Sequence, residues 1–329
     1  MNWLVTGGCG FIGTGLLSRL IADGVENIRV VDNLSVGSRS DLDEAVGAFA
    51  ETEADDVQGA PTGVELVVAD IRDRNAMRMV GKGIDVVVHL AANTGVGPSV
   101  ENPVMDGETN VMGTLACLES ARENGIGRFI FASSGAPIGE VTPPIHEELP
   151  AHPASPYGAS KLAGEGYCSA YASCFGIDTV ALRFGNVYGP GSKRKQSVVA
   201  KFIAATMAGE TLEIYGDGGQ TRDFIYIDDL ISAILQAASI DGIGGETFQI
   251  ASSRETTVSE LARALSKAFE RAGLDMSHIR HTGSRTGDVR RNFSDTSKAR
   301  NRLLWQASVP LDEGLERTVR YFMAIRSTA

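Results

Sequence analysis

Short apolar runs alternate with longer stretches of three-to-four-residue apolar period along the first half of the chain. The runs at 2–6, 27–31, 64–68, 84–88, 127–132 and 177–183 read as buried strands, and the periodic stretches near 11–23, 73–81, 104–124 and 157–175 as helices. Parallel strands need a long crossover between them, and a helix supplies it, so this alternation predicts βαβ units. The expected fold class is α/β, a doubly wound parallel sheet with helices on both faces. Residues 41–63 break the rhythm with acidic side chains, glycine and proline, and read as a surface insertion. Beyond residue 184 the pattern loosens. Helices at 196–208, 228–239, 257–272, 296–304 and 311–326, with strands near 212–215 and 246–250, predict a smaller mixed α/β domain.

Composition narrows the classes. The 329 residues are 43% hydrophobic and 22% charged, the balance of a globular protein with a sizeable core. A formal net charge of −11, with no dense basic stripe, argues against a nucleic-acid partner. It also means that a phosphate ligand needs arginines placed locally against it. Cys9, Cys117, Cys168 and Cys174 have neither zinc-ligand nor CxxC spacing, so neither a metal site nor a disulfide framework is expected. No apolar run approaches the length of a membrane span, and the first strand begins too early to leave room for a targeting segment. A cytoplasmic enzyme without a membrane anchor is the expectation.

The stretch LVTGGCGFIG (4–13) concentrates glycine between the first strand and the first helix. Its spacing is Gly7-x-x-Gly10-x-x-Gly13. Glycine there lets a pyrophosphate approach the backbone at a helix N-terminus, although tight βα turns also use it for steric reasons alone. Two acids favour the first reading. Asp32 ends the second strand about 20 residues on, where a carboxylate accepts from an adenosine ribose, and Asp70-Ile71 closes the third strand. This predicts a Rossmann-type dinucleotide-binding domain over 1–183, rejoined by part of 216–250, with 184–329 mainly the substrate-binding domain. Asp32 would repel a 2′-phosphate, which favours NAD over NADP, although Arg39 lies nearby in sequence.

Tyr157 and Lys161 stand at i and i+4 in SPYGASK, on one face of a helix. An ammonium beside a phenol favours phenolate and lowers its pKa from about 10, which suits a proton acceptor. A core tyrosine with a solvated lysine is the structural alternative. Ser134 sits just past a strand, at the sheet edge where ligands of such folds bind; its hydroxyl could bridge Tyr157 and substrate, or merely cap a turn.

TGGCGFIG, DNLSVGS, HLAA, NVMGT, SPYGASK, LRFGNVYGP, YGDGGQTRDFIYIDD and GDVRRNFSDTSKAR, in that order, resemble the extended short-chain dehydrogenase/reductase family. More narrowly, they are similar to its nucleotide-sugar epimerase/dehydratase branch. The resemblance implies NAD held by Gly7, Gly10, Phe11, Ile12, Gly13, Asp32 and Asn33. It adds Asp70, Ile71, Ala91, Asn110, Tyr157 and Lys161 to that cofactor site, and makes Ser134, Tyr157 and Lys161 catalytic. For a nucleotide-sugar substrate it implies Ser134, Asn186, Tyr215, Arg222, Arg285 and Asp288. It also implies a homodimer paired through the helices at 104–124 and 157–175.

The implied reaction is 4-epimerisation of a UDP-hexose, UDP-N-acetylhexosamine or UDP-uronic acid through a transient 4-keto sugar. Dehydration or decarboxylation from the same intermediate is the alternative, and a non-catalytic NAD sensor a more distant one. Three departures from the family pattern bear on this choice. Ile138 stands where relatives carry a tyrosine. Gly135 and Ala136 occupy the positions of the acid pair used by 4,6-dehydratases, with Glu140 several residues late and expected to point away. Lys193, Arg194 and Lys195 form a basic loop, read as solvated or, alternatively, as recognising extra substrate charge.

Overall fold

The computed structural model describes residues 1–194, 197–283 and 290–327. In chain order its first part forms β1 (Trp3–Thr6), α1 (Phe11–Ala22), β2 (Ile28–Asp32), α2 (Arg39–Val46), β3 (Ala50–Glu51), β4 (Val64–Val68), α3 (Arg74–Val80), β5 (Val86–His89), α4 (Val96–Glu101), α5 (Pro103–Gly107), α6 (Gly113–Glu123), β6 (Arg128–Ser134), α7 (Pro156–Phe175) and β7 (Asp178–Phe184). The second part adds β8 (Asn186–Tyr188), α8 (Val198–Ala208), β9 (Leu212–Tyr215), β10 (Thr221–Arg222), β11 (Phe224–Tyr226), α9 (Ile227–Ser239), β12 (Thr247–Ile250), β13 (Thr256–Thr257), α10 (Val258–Arg271), β14 (Ile279–Thr282), α11 (Ser297–Arg302) and α12 (Leu311–Ser327).

The central strands are apolar on both faces, as a doubly covered parallel sheet requires. Eight of them pair in the order β12-β7-β6-β5-β1-β2-β4-β3. Every pairing in this sheet is parallel. On one face Val5, Leu16, Leu20, Val30, Ile231 and Phe248 share a core that runs on into the C-terminal part. On the other, Leu4, Val31, Met77, Val87, Phe129 and Phe131 form a second core under α3, α6 and α7. Strand order reverses between β1 and β5, so the crevice of this Rossmann-type fold opens beyond Thr6 and His89, which are register partners.

Late segments return to the sheet. β12 pairs with β7, placing Phe248 opposite Leu182, and α9 packs on α1. The remaining short strands form three two-stranded sheets: β8 with β11, β9 with β14 and β10 with β13.

Two sequence expectations are corrected. Residues 41–63 are not a plain insertion, because they supply most of α2 and the edge strand β3. The buried Arg29 side chain ties their end down: it pairs with Glu65 and donates to the carbonyls of Gly59 at 2.7 Å, Val80 at 2.7 Å and Lys82 at 2.9 Å. The expected helix 104–124 is broken by a π-helical segment at Glu108–Met112. The extra residue per turn carries Asn110 into a buried polar network and draws Gly113 close to Ile71, where a Cβ would lie 2.6 Å from Cδ1.

Candidate active site

The glycine loop is folded upon itself. Gly7 leaves β1 at φ +70°, and a Cβ there would lie 2.7 Å from the Ala91 nitrogen, so a side chain meets both torsional and steric cost. A Cβ on Gly13 would lie 2.5 Å from the Gly7 carbonyl oxygen. Gly10 caps α1 without any side-chain acceptor, which leaves the first-turn N–H groups to a ligand. Phe11 and Ile12 are half-buried in that first turn.

Asp32, at the end of β2, faces this loop. Its Oδ2 accepts from the Cys9 N–H at 3.0 Å and its Oδ1 from the Leu34 N–H at 2.8 Å. Burial pushes its carboxyl up from the ordinary value, against those two hydrogen bonds. Each oxygen keeps a second lone pair for a ribose hydroxyl. Asn33 donates to Asp70 at 3.2 Å, and the Arg72 guanidinium on Asp70 holds that carboxyl down at about 2. Arg39 is engaged by Glu51 at 2.8 and 2.6 Å, which balances its charge locally.

Across the crevice, β6 ends at Ser134 and α7 begins at Pro156 under a Ser155 cap. The helix lies unusually close to the strand, since a Cβ on Gly164 would meet the Phe131 ring at 2.4 Å. Tyr157 shares a hydrogen bond with Ser134, whose Oγ also accepts from the Ala136 N–H at 3.1 Å. The serine oxygen thus caps the turn after β6 and stands beside the Tyr157 phenol. Lys161 is buried, donates to the Ala132 carbonyl at 2.8 Å and lies over the Phe131 ring. Desolvation lowers its ammonium to about 8, opposed chiefly by Asp106, while burial raises the Tyr157 phenol despite the Ser134 hydrogen bond.

Asn110 is fully engaged within the protein. Its amide nitrogen shares its two protons among Asn93 O, Asp106 Oδ1 and Ser160 Oγ, at 3.0, 3.0 and 3.1 Å, and its oxygen accepts from the Asn93 N–H at 2.7 Å. It therefore positions the loop after β5, which carries Ala91, and ties that loop to α7. Asp106 and Ser160 were not singled out from the sequence. The 106/110 pair has helical spacing, but nothing local announces Ser160, 50 positions on.

The substrate-side residues begin to converge. The Asn186 N–H bonds the Asp223 carbonyl at 2.8 Å, next to Arg222, whose guanidinium donates to Thr221 O at 2.7 Å. Asp223 is buried, and its carboxylate accepts from Ser252 and Ser294. Tyr215 ends β9 with 45% of its surface exposed. Arg285 and Asp288 lie outside the described residues, as does Lys195. Lys193 and Arg194 are exposed, as a solvated loop would be, and in addition form ion pairs with Asp41 at 2.9 and 2.8 Å. Ile138 is fully buried, in a loop held by the His152 N–H bond to its carbonyl at 3.2 Å.

The sequence model of the NAD dependent epimerase/dehydratase family matches residues 3–251. The chain belongs to this family. It is 36% identical over 328 residues to a UDP-glucose 4-epimerase of Mycolicibacterium smegmatis, covering 98% of each protein. Among solved structures it is similar to the UDP-glucose 4-epimerase of Thermotoga maritima with UDP-glucose, with a TM-score of 0.87 at 35% identity over 99% of this chain and 100% of that one. The Thermus thermophilus UDP-glucose 4-epimerase complex with NAD superposes with a TM-score of 0.82 at 33% identity, covering 98% and 99%. dTDP-glucose 4,6-dehydratases also occur among the relatives.

NAD is the cofactor of the family, and the crowded glycine loop, the uncapped N-terminus of α1 and the inward-facing Asp32 suit a dinucleotide of its chemistry. Among the described residues no helix is long and apolar enough to cross a membrane.

Proposed function

We propose that this chain is a nucleotide-sugar 4-epimerase acting on a UDP-hexose, UDP-N-acetylhexosamine or UDP-uronic acid. The observation that carries the reading is the Ser134–Tyr157–Lys161 arrangement followed directly by Gly135 and Ala136. NAD, which the Gly7–Gly13 loop and Asp32 would hold, would supply the reversible hydride chemistry at C4 of the sugar. Tyr157 takes the proton of the C4 hydroxyl as the 4-keto sugar forms and gives it back after the sugar has turned. Ser134 orients the hydroxyl, and the Lys161 ammonium stabilises the phenolate from below. Arg222 and the outlying Arg285 supply charge for the diphosphate, Asn186 and Asp288 complete the polar contacts, and the exposed Tyr215 face stacks on the base.

Elimination of water across C5 and C6 needs further groups that move protons. Gly135 and Ala136 have none, and Glu140 is exposed to solvent. Incubating the protein with UDP-, dTDP- and GDP-sugars in heavy-hydrogen water, with products resolved by NMR, tests the reading. We expect a C4 epimer of a UDP-sugar with no solvent label at C5. Label at C5, or loss of water or carbon dioxide, would assign a dehydratase or decarboxylase instead.

The same reading places the enzyme in the cytoplasm as a homodimer. Four free cysteines agree with a reducing compartment. Val100, Val104, Met112 and Tyr167 leave apolar surface exposed on the α4–α7 side, which suits a second copy. Light scattering of the purified protein at twice 34.8 kDa is the expected result.

A further inference from the structure

Lys193 and Arg194 sit in a short turn, Ser192–Arg194, that leaves β8 for α8. Both reach out of that region to the far side of the glycine loop. Lys193 Nζ pairs with Asp41 Oδ1 at 2.9 Å and Arg194 Nη1 with Asp41 Oδ2 at 2.8 Å. Arg194 also donates to the Val36 carbonyl at 2.5 Å and to Ser38 Oγ at 3.3 Å. Asp41 is well placed to receive them, because the Ser38 capping box of α2 fixes its carboxylate.

The contacts form a continuous ring. The loop 33–38 follows Asp32 and presses on the glycine loop so tightly that a Cβ on Gly37 would lie 2.1 Å from the Cys9 carbonyl oxygen. On the other side, Gly191 packs on Phe11 in the first turn of α1, where a Cβ would make an ordinary 3.4 Å contact. Buried Ser192 fixes the turn by donating to Gly189 O at 2.7 Å. The chain from 189 to 194 thus runs from the start of α1 to the loop beyond the ribose-binding carboxylate.

We propose that Lys193 and Arg194, clamped on Asp41, are positioning residues that strap the adenosine half of the cofactor site closed and slow the release of NAD. The proposal rests on the placement of NAD along Gly7–Gly13 and Asp32. The strap touches no reacting atom; it acts by holding the loop 33–38 against the glycine loop. An enzyme that returns its hydride to the same sugar in each cycle gains from a cofactor that stays.

The experiment is exchange of radiolabelled NAD from loaded enzyme into excess unlabelled NAD, at low and high salt. Replacing both cations (K193A with R194A) should speed exchange several-fold, since partly exposed ion pairs each contribute a few-fold. The charge-preserving pair K193R with R194K should return the rate toward that of the natural protein. Salt should speed exchange in the natural protein and have little further effect in the double-alanine variant. An unchanged exchange rate in that variant overturns the strap. Asp32→Ala separates the two readings: it should speed exchange whether or not the strap matters. If it does not, the cofactor lies elsewhere and the strap proposal falls with its premise.

Discussion

Lys161 Nζ lies 6.0 Å from the centroid of the Tyr157 ring and spends one of its protons on the Ala132 carbonyl, 2.8 Å away. That bond anchors the ammonium to the C-terminal end of strand β6, one residue before the Ser133–Ser134 pair. Position, rather than bare sequence spacing, therefore fixes the lysine nitrogen near the Tyr157 ring, while burial holds the phenol above its ordinary value, against the lowering expected from the spacing.

Tyr157→Phe should cut epimerisation by about 10²-fold or more while leaving NAD bound, because only the proton path is removed. Lys161→Met should lose activity and also part of the bound NAD. Initial rates together with the dinucleotide content of each purified variant check both. Near-full activity in Tyr157→Phe would assign the proton transfer to another group.

Denaturing the purified protein should release NAD and little NADP. Asp32 presents a carboxylate where a 2′-phosphate would sit, and the nearby cations are engaged: Arg39 by Glu51, and Lys193 and Arg194 by Asp41. Chromatography of the released dinucleotide decides it, with mainly NADP as the contrary result.

The parts of this molecule written in local periodicity were legible from sequence. The strands of the parallel sheet, α1 and α7 follow from apolar runs, the glycine spacing and a Ser-Pro helix start. The Tyr157–Lys161 pair was legible because both members lie on one helix. What was hidden depends on contacts between distant segments. Arg29 is a lone cation in an apolar strand run, and it is buried because Gly59, Val80, Lys82 and Glu65 converge on it from three other segments. The π-helical segment was invisible because its periodicity departs from that of an α-helix by only one residue, for the sake of Asn110. The ion pairs of Lys193 and Arg194 were hidden because their carboxylate, on Asp41, lies about 150 residues earlier in the chain.

Arg29→Ala should destabilise the fold by about 3–5 kcal/mol, the range for removing one partner of a buried ion pair. Three carbonyls lose a donor and Glu65 loses its counter-charge, so the 57–60 segment should loosen first. Urea unfolding measures the loss, and hydrogen exchange should place its earliest opening at the β3–β4 edge. A loss below about 1 kcal/mol would mean that water replaces the guanidinium there.

His89 should make the fold acid-sensitive. Its ring is buried between β1 and α6, with Nδ1 at 2.7 Å from Thr6 Oγ1 and Nε2 at 3.0 Å from Thr114 Oγ1. Thr114 donates its own proton to the Asn110 carbonyl at 2.6 Å, so its oxygen accepts from Nε2–H. Thr6 Oγ1 accepts from the Ala91 N–H at 3.3 Å and gives its proton to Nδ1. The imidazole is therefore neutral, and a second proton on Nδ1 would face the Thr6 hydroxyl proton. Burial, and then the Lys161 charge, depress its pKa from 6.5 to about 3. Between those values the unfolded chain binds a proton that the folded chain refuses. This contribution is complete above pH 6.5 and is lost as pH falls toward 3, by at most about 1.4 kcal/mol per pH unit. His89→Gln keeps a donor and an acceptor but cannot titrate. From pH 7.5 to 5 the natural protein should lose about 2 kcal/mol more unfolding free energy than this variant, the integral of that slope below pH 6.5. Equal losses in urea titrations at the two pH values would mean that His89 takes up its proton in the folded state, and that the Thr6–His89–Thr114 chain opens to admit it.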